Sequence, residues 1–185
     1  VFGPEHLTIG IDIGDVDITD KRATIAAIRE RNPDLIIHNA AFTAVENAET
    51  ETARCFDVNC NGTLYVALGA AEVGAKLVYM STDYVFDGVK GEAYAETDTP
   101  NPKNKYGISK LIGELYVRSL VRHHYIVRLS WLFGKFGKNF AYTMLELGKH
   151  SKSVKVVDDQ VGTPTYARHV SEMLLKLVRT GDYGT

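Results

Sequence analysis

Short aliphatic and β-branched runs alternate along the chain with longer stretches whose apolar positions recur every three or four residues. Apolar runs without polar alternation mark strands buried on both faces, and the three-to-four spacing marks helices. Residues 7–11, 35–38, 76–80, 125–129 and 154–157 predict five strands. A helix begins at Asp20, carries Ile25 and Ile28, and ends before Pro33. A long helix is predicted over 51–73, closed by Gly74 as its C-cap, and further helices over 105–121, 140–147 and 167–178. Strands alternating with helices imply an α/β protein with a doubly wound, Rossmann-like parallel sheet. Ligands in such sheets lie beyond the carboxyl ends of the strands. Asp12 and residues 39–45, 81–87 and 130–131 are therefore the places to look for chemistry.

One expected feature is absent from the sequence. A dinucleotide fold opens with a strand and a G-x-G-x-x-G-type loop that cradles the pyrophosphate. Gly3, Gly10 and Gly14 have neither that spacing nor those flanks. The strand at 7–11 reads as the second of the fold, with Asp12 at its tip. Residues 1–185 are thus expected to form a single, partial NAD(P)-binding domain. It lacks the first strand, the glycine-rich loop and most of the C-terminal substrate region, and 131–185 contains the start of the substrate-binding portion.

Composition narrows the function classes. Of the 185 residues, 45% are hydrophobic and 24% charged, with a formal net charge of −2. That balance fits an ordinary globular protein and supplies no field to draw it to nucleic acid or an anionic membrane. The apolar runs are too short to span a bilayer, and Val1-Phe2-Gly3-Pro4-Glu5 does not read as a signal peptide. Cys55 and Cys60 belong to no C-x-x-C or Cys/His metal pattern, so no metal site is expected. Five residues apart on one helix, they should point in different directions and stay reduced, as in the cytoplasm.

The strongest chemical signal is Tyr106-Gly107-Ile108-Ser109-Lys110. Positions i and i+4 share a helix face, so the phenol and the ammonium can converge on one site. There the ammonium would lower the phenol's pKa and reach ribose hydroxyls. Upstream, Thr82 and Asp83 follow a strand, where a hydroxyl can bind a carbonyl; Thr82 also suits a turn or cap. Small Ala40 and Ala41 after another strand would let a flat ring approach the backbone. Trp131, the sole tryptophan, offers an aromatic face and an N–H donor. Asp12 could accept from the adenosine ribose and so favours NAD over NADP. Asn139 and Gln160 are sugar or diphosphate ligand candidates. His38 reads as a packed core histidine, His123-His124 as an exposed turn, and Arg118, Arg122 and Arg128 as solvated or structural charges.

The chain resembles the dTDP-4-dehydrorhamnose reductases, extended short-chain dehydrogenases/reductases, over essentially its whole length. The matching stretches are Asp17-Ile18-Thr19-Asp20, Asn39-Ala40-Ala41-Phe42-Thr43-Ala44-Val45, residues 81–88, Asn101-Pro102-Lys103-Asn104-Lys105-Tyr106-Gly107, Arg128-Leu129-Ser130-Trp131-Leu132-Phe133-Gly134, Lys138-Asn139-Phe140, and residues 157–165. The resemblance implies a catalytic triad of Thr82, Tyr106 and Lys110. It implies cofactor contacts at Asp17, Ile18, Ala40, Ala41 and Thr43 besides Tyr106 and Lys110, and substrate contacts at Val45, Thr82, Asp83 and Trp131. The expected reaction is reduction of a 4-keto nucleoside-diphosphate sugar by NADPH or NADH, with a homodimer as the assembly to test. Two alternatives share these motifs. One is a nucleotide-sugar epimerase or dehydratase; the dehydratases follow the active-site Thr with Asp-Glu, where this chain has Asp83-Tyr84. The other is a non-catalytic relative that binds a partner enzyme, like the regulatory subunit of methionine adenosyltransferase.

Overall fold

The computed structural model describes residue 3, residues 6–137 and residues 139–185. Lys138 of the Lys138-Asn139-Phe140 stretch, and Val1, Phe2, Pro4 and Glu5 of the segment read as no signal peptide, lie outside the described residues. The chain divides into two compact units. One is Leu7–Arg128 with Gly181–Thr185; the other is Leu129–Thr180 with the described residues before Leu7.

In the larger unit, helix α1 (Lys21–Arg31) starts where the Asp20 carboxylate accepts from the Ala23 amide at 3.0 Å. It stops at Asn32, whose φ of 40° is left-handed, just before Pro33. Strand β1 (Leu35–His38) pairs in parallel with β2 (Lys76–Thr82), Leu35 opposite Lys76 and His38 opposite Tyr79. Strand β3 (His124–Leu129) completes a sheet of order β1-β2-β3. Helix α5 (Lys105–Leu120) connects β2 to β3. The core gathers Val66, Ala67 and Ala70 with Leu77 and Tyr79 of β2, Val117 of α5 and Ile126 of β3.

The predicted long helix over 51–73 is several pieces. Helix α2 (Val45–Thr50) begins earlier than expected, and α3 (Thr52–Phe56) follows. A π-helical turn then occupies Asp57–Gly62, and α4 (Thr63–Val73) ends at Gly74 as expected. The π turn overturns the expectation for the cysteines. Its i→i+5 repeat brings Cys55 and Cys60 to a common neighbour. Cys55 Sγ lies 3.4 Å from Ser109 Oγ, and Cys60 Sγ donates to the Ser109 carbonyl at 3.5 Å. Both are free, buried thiols.

Residues 7–11 and 154–157 are not strands. Leu7, Ile9 and Ile11 are largely exposed, as are Val154, Val156 and Val157. A strand needs a neighbour to pair its backbone, and among the described residues neither segment has one. The smaller unit instead holds a short parallel pair the sequence did not announce, β4 (Leu132–Phe133) and β5 (Thr165–Tyr166). The same unit holds α6 (Phe140–His150) and α7 (Ala167–Thr180).

His38 is buried as a core residue, its Nε2 3.0 Å from Thr63 Oγ1. Burial, reinforced by the charge of Lys110, pushes its pKa down to about 3. The folded protein therefore keeps His38 neutral while the unfolded chain takes a proton near the ordinary value of 6.5. This contribution to stability is full above pH 6.5 and is lost as pH falls through 3. His38→Gln, which keeps a polar group near Thr63 but cannot titrate, should flatten the fall in Tm across that window. Thermal melts showing the parent's slope would assign the acid sensitivity elsewhere.

Candidate active site

The site is built where β2 ends and α5 begins. Thr82, the last residue of β2, caps a single 3-10 turn, Asp83–Val85; its Oγ1 accepts from the Tyr84 amide at 3.2 Å. The same hydroxyl donates to Asp83 Oδ1 at 3.1 Å. Helix α5 is started by Asn104, whose side chain accepts from the Gly107 amide at 2.7 Å. Tyr106 is thereby set in the first turn and Lys110 one turn on, both buried.

The Tyr106 hydroxyl lies in the neighbourhood of the Thr82 side chain. Tyr106 packs among Ala48 and Cys55 with Phe42, Val45 and Tyr84, and meets the Tyr84 ring edge-on at 5.9 Å. Burial pushes its pKa up to about 12; the Thr82 side chain works against that rise and the Asp83 charge adds to it. The lowering expected from Lys110 is not what the hydroxyl experiences. The Lys110 ammonium lies over the Tyr79 ring, 4.2 Å from its centroid, a cation–π contact. Burial brings Lys110 down to about 7, against the opposing pull of Glu114. Among the described residues its ammonium has no hydrogen-bond acceptor, so its donors are available to a ligand.

The structure brings Thr82, Asp83, Tyr106, Lys110 and Val45 together. Burial raises the pKa of Asp83, with the Thr82 bond opposing. Ala40, Ala41 and Thr43 lie in the open loop after β1, with Ala40 and Thr43 exposed. Asp17 is bound by the Thr19 amide and hydroxyl at 2.9 and 2.8 Å, which holds its carboxyl below the usual range. Ile18 packs its side chain onto the core. Asp12 is exposed, and its carboxylate accepts from the Ile13 amide at 2.8 Å. In the smaller unit, Trp131 is 43% exposed, with a φ of 46° that is strained for a bulky residue. Asn139 caps α6, and Gln160 is exposed.

Several residues at this site went unread in the sequence. Asn59, buried in the π turn, holds both backbone groups of Phe42. Its Oδ1 accepts from the Phe42 amide at 2.8 Å, and its Nδ2 donates to the Phe42 carbonyl at 3.0 Å and to Ser109 Oγ at 2.9 Å. It thus ties the loop after β1 to α5. The available signal was an asparagine inside a helical pattern, where it is a poor former. Gly107 is required by a close approach: a Cβ there would sit 2.1 Å from the Tyr84 carbonyl oxygen.

A parallel sheet with Thr82 at the carboxyl end of its central strand and helices packed against it defines a Rossmann-like α/β domain. Residues 3–184 match the family model described as the RmlD substrate binding domain, and the chain belongs to that family. It is 39% identical over 169 residues to a dTDP-4-dehydrorhamnose reductase of Aggregatibacter actinomycetemcomitans, covering 91% of this chain and 58% of that protein. It is 38% identical to the spore coat polysaccharide biosynthesis protein SpsK of Bacillus subtilis, covering 88% of this chain and 57% of that one. A crystal structure of dTDP-4-dehydrorhamnose reductase from Bacillus anthracis in complex with NADP superimposes with a TM-score of 0.96 at 44% identity, covering 100% of this chain and 66% of that one. The chain thus spans less than two thirds of the length of these relatives.

Proposed function

We propose that this chain forms the proton-donating and cofactor-holding part of a dTDP-4-dehydrorhamnose reductase, an NADPH-dependent oxidoreductase that yields dTDP-L-rhamnose. The observation that carries it is the buried Tyr106 side chain beside Thr82, with Lys110 one helical turn away. Bound nicotinamide would supply the hydride to the keto carbon. The residues present fit such a cofactor, because the Lys110 ammonium offers N–H donors and ribose hydroxyls are acceptors. Tyr106, held near 12, remains a neutral phenol at neutral pH, the state required to give a proton to a developing alkoxide. The Thr82 hydroxyl, which donates to Asp83 here, would turn to the same carbonyl oxygen when substrate binds. NADPH is preferred because a relative of 44% identity was solved in complex with NADP.

Val45, beside Tyr106, and Asp83 are assigned to the sugar nucleotide, and Ala40, Ala41 and Thr43 to the cofactor, from their places around this site. Trp131, with its strained backbone and exposed ring, is assigned to substrate, with 131–185 as the beginning of the substrate-binding portion. Asp17 is assigned to the cofactor; Ile18, already committed to the core, would contribute its backbone. Free, buried thiols fit a cytoplasmic setting, and no described helix is long and apolar enough to cross a membrane.

Reduction is favoured over dehydration by the carboxylates. Elimination of water needs a second acid–base group that titrates near neutrality. Tyr84 stands where the dehydratases carry glutamate. Asp87, the next carboxylate, is held by Tyr94, Asn101 and the Val89 amide, which take its pKa down to about 2. The protein should consume one NADPH per dTDP-4-dehydrorhamnose. It should form no 4-keto-6-deoxy product from dTDP-glucose with catalytic NAD. Appearance of that product would move it to the dehydratases.

A further inference from the structure

Within the smaller unit, Trp131 is held firmly on both sides and yet is not buried. It stands between β3 and β4 along the chain, and its φ of 46° is a left-handed conformation strained for a bulky side chain. Its own carbonyl accepts from the Thr165 amide at 3.2 Å. The hydroxyl of Ser130, just before it, donates to the Thr163 carbonyl at 2.6 Å. Just after it, Leu132 opens β4 and pairs with Thr165 of β5. Thr165 Oγ1 also donates to the Thr163 carbonyl, at 3.3 Å, which stiffens the segment that receives these bonds. The side chain that they aim is nevertheless 43% exposed.

The same receiving segment carries Gly162, and the reason for a glycine there is the indole. The backbone of Gly162 is not left-handed, so its conformation does not ask for glycine. Space does. A Cβ at 162 would lie 2.9 Å from Trp131 Cε2, 3.0 Å from Cζ2 and 3.3 Å from Nε1. The three nearest neighbours of that Cβ would thus all be indole atoms. Gly162 is itself exposed, so the contact is no part of a buried core. Two exposed residues, one strained and the other without a side chain, are fitted to each other. Backbone strain that neighbouring bonds hold in place collects at ligand sites. The exposed part of the indole is an apolar surface with an N–H donor at its edge, suited to a flat ring that also carries polar groups.

We propose that Gly162 is a positioning residue for sugar-nucleotide binding: by leaving out a side chain it seats the Trp131 indole, whose exposed surface then meets a ring of the ligand, hexose or thymine. The inference rests on the assignment of Trp131 to substrate. A methyl at 162 displaces the indole, and the surface offered to the ligand moves with it. Position 162 thereby sets how the sugar nucleotide is held, without touching it.

Trp131 is the sole tryptophan, so the protein's indole fluorescence reports on it alone. In the parent, dTDP-glucose should quench that emission and saturate. Gly162→Ala, at an exposed position with no core to disturb, should fold and should move the emission maximum of the free protein. Its affinity for dTDP-glucose should fall by roughly three- to tenfold, the scale of one aromatic contact. Calorimetry in a Trp131→Phe background traces the loss to the indole. There the smaller ring leaves room for the methyl, so Gly162→Ala should cost little. A methyl that merely disturbed its own loop would cost the same in both backgrounds, and that result overturns the proposal. So does an unmoved emission maximum, an unchanged affinity in Gly162→Ala, or a parent emission that dTDP-glucose leaves as it was. Titration with dTDP separates the two ligand rings: a loss shared by dTDP places thymine on Trp131, and a loss confined to dTDP-glucose places the hexose there. A protein that shows these shifts but reduces no keto sugar would defeat the reductase reading and leave the role of Gly162 standing.

Discussion

Tyr106→Phe should lower keto-sugar reduction by roughly 10²–10⁴-fold, the usual worth of a positioned general acid. The ring remains in its cluster with Ala48 and Cys55, and Thr82 keeps its bonds to Asp83 and the Tyr84 amide. The loss should therefore fall on turnover. Affinity for NADPH should change little, because Lys110 is untouched and holds its place over Tyr79. Steady-state rates measured beside cofactor binding separate the two. Turnover near that of the parent would remove Tyr106 from the chemistry and revive the non-catalytic reading.

Gly107→Ala should have the largest effect on the fold. The added methyl would meet a main-chain oxygen, that of Tyr84, rather than the yielding end of a side chain. Relief requires either α5 or the Asp83–Val85 turn to move, and these carry Tyr106 and Thr82 respectively. Overpacking of this sort costs about 1–3 kcal/mol, sometimes more. In a domain this size that is a fall of roughly 2–4 °C in Tm for each kcal/mol. Reduction should drop beyond what the lost stability explains, since the hydroxyls of Tyr106 and Thr82 separate. A Tm and a rate both within error of the parent would show that the backbones part more easily than the contact suggests.

The sequence spoke most clearly where one physical signal sufficed. Apolar runs located β1, β2 and β3. Asp20 before α1 and Gly74 after α4 marked helix ends because capping is a local interaction. The i, i+4 spacing of Tyr106 and Lys110 was legible for the same reason. Long-range conditions were not. Residues 7–11 carry a strand's pattern without a strand's partner, and a period-based reading cannot see that difference. The effect of Lys110 on Tyr106 was misjudged because spacing says that two side chains share a face, not where their ends go. Here the ammonium turns to Tyr79 and burial dominates the phenol. Glu114 and Arg128 are unremarkable charges in a linear sequence. Only folding brings them within 2.7 Å.

The wide turn at Asp57–Gly62 has a consequence for how this stretch tolerates change in length. A π turn amounts to one residue more than a regular helix would use over the same rise. Removing a residue there would be absorbed without a gap, as the turn relaxed to an α-helix. Side chains beyond it, Val66, Ala67 and Ala70 among them, would keep their places against the sheet, because the turn already holds the spare residue. Asn59, within the turn, would lose its alignment with Phe42. The turn is thus a slack link: a deletion there disturbs the turn alone, whereas the same deletion between Thr63 and Val73 would rotate every later side chain of the helix by roughly 100° about its axis.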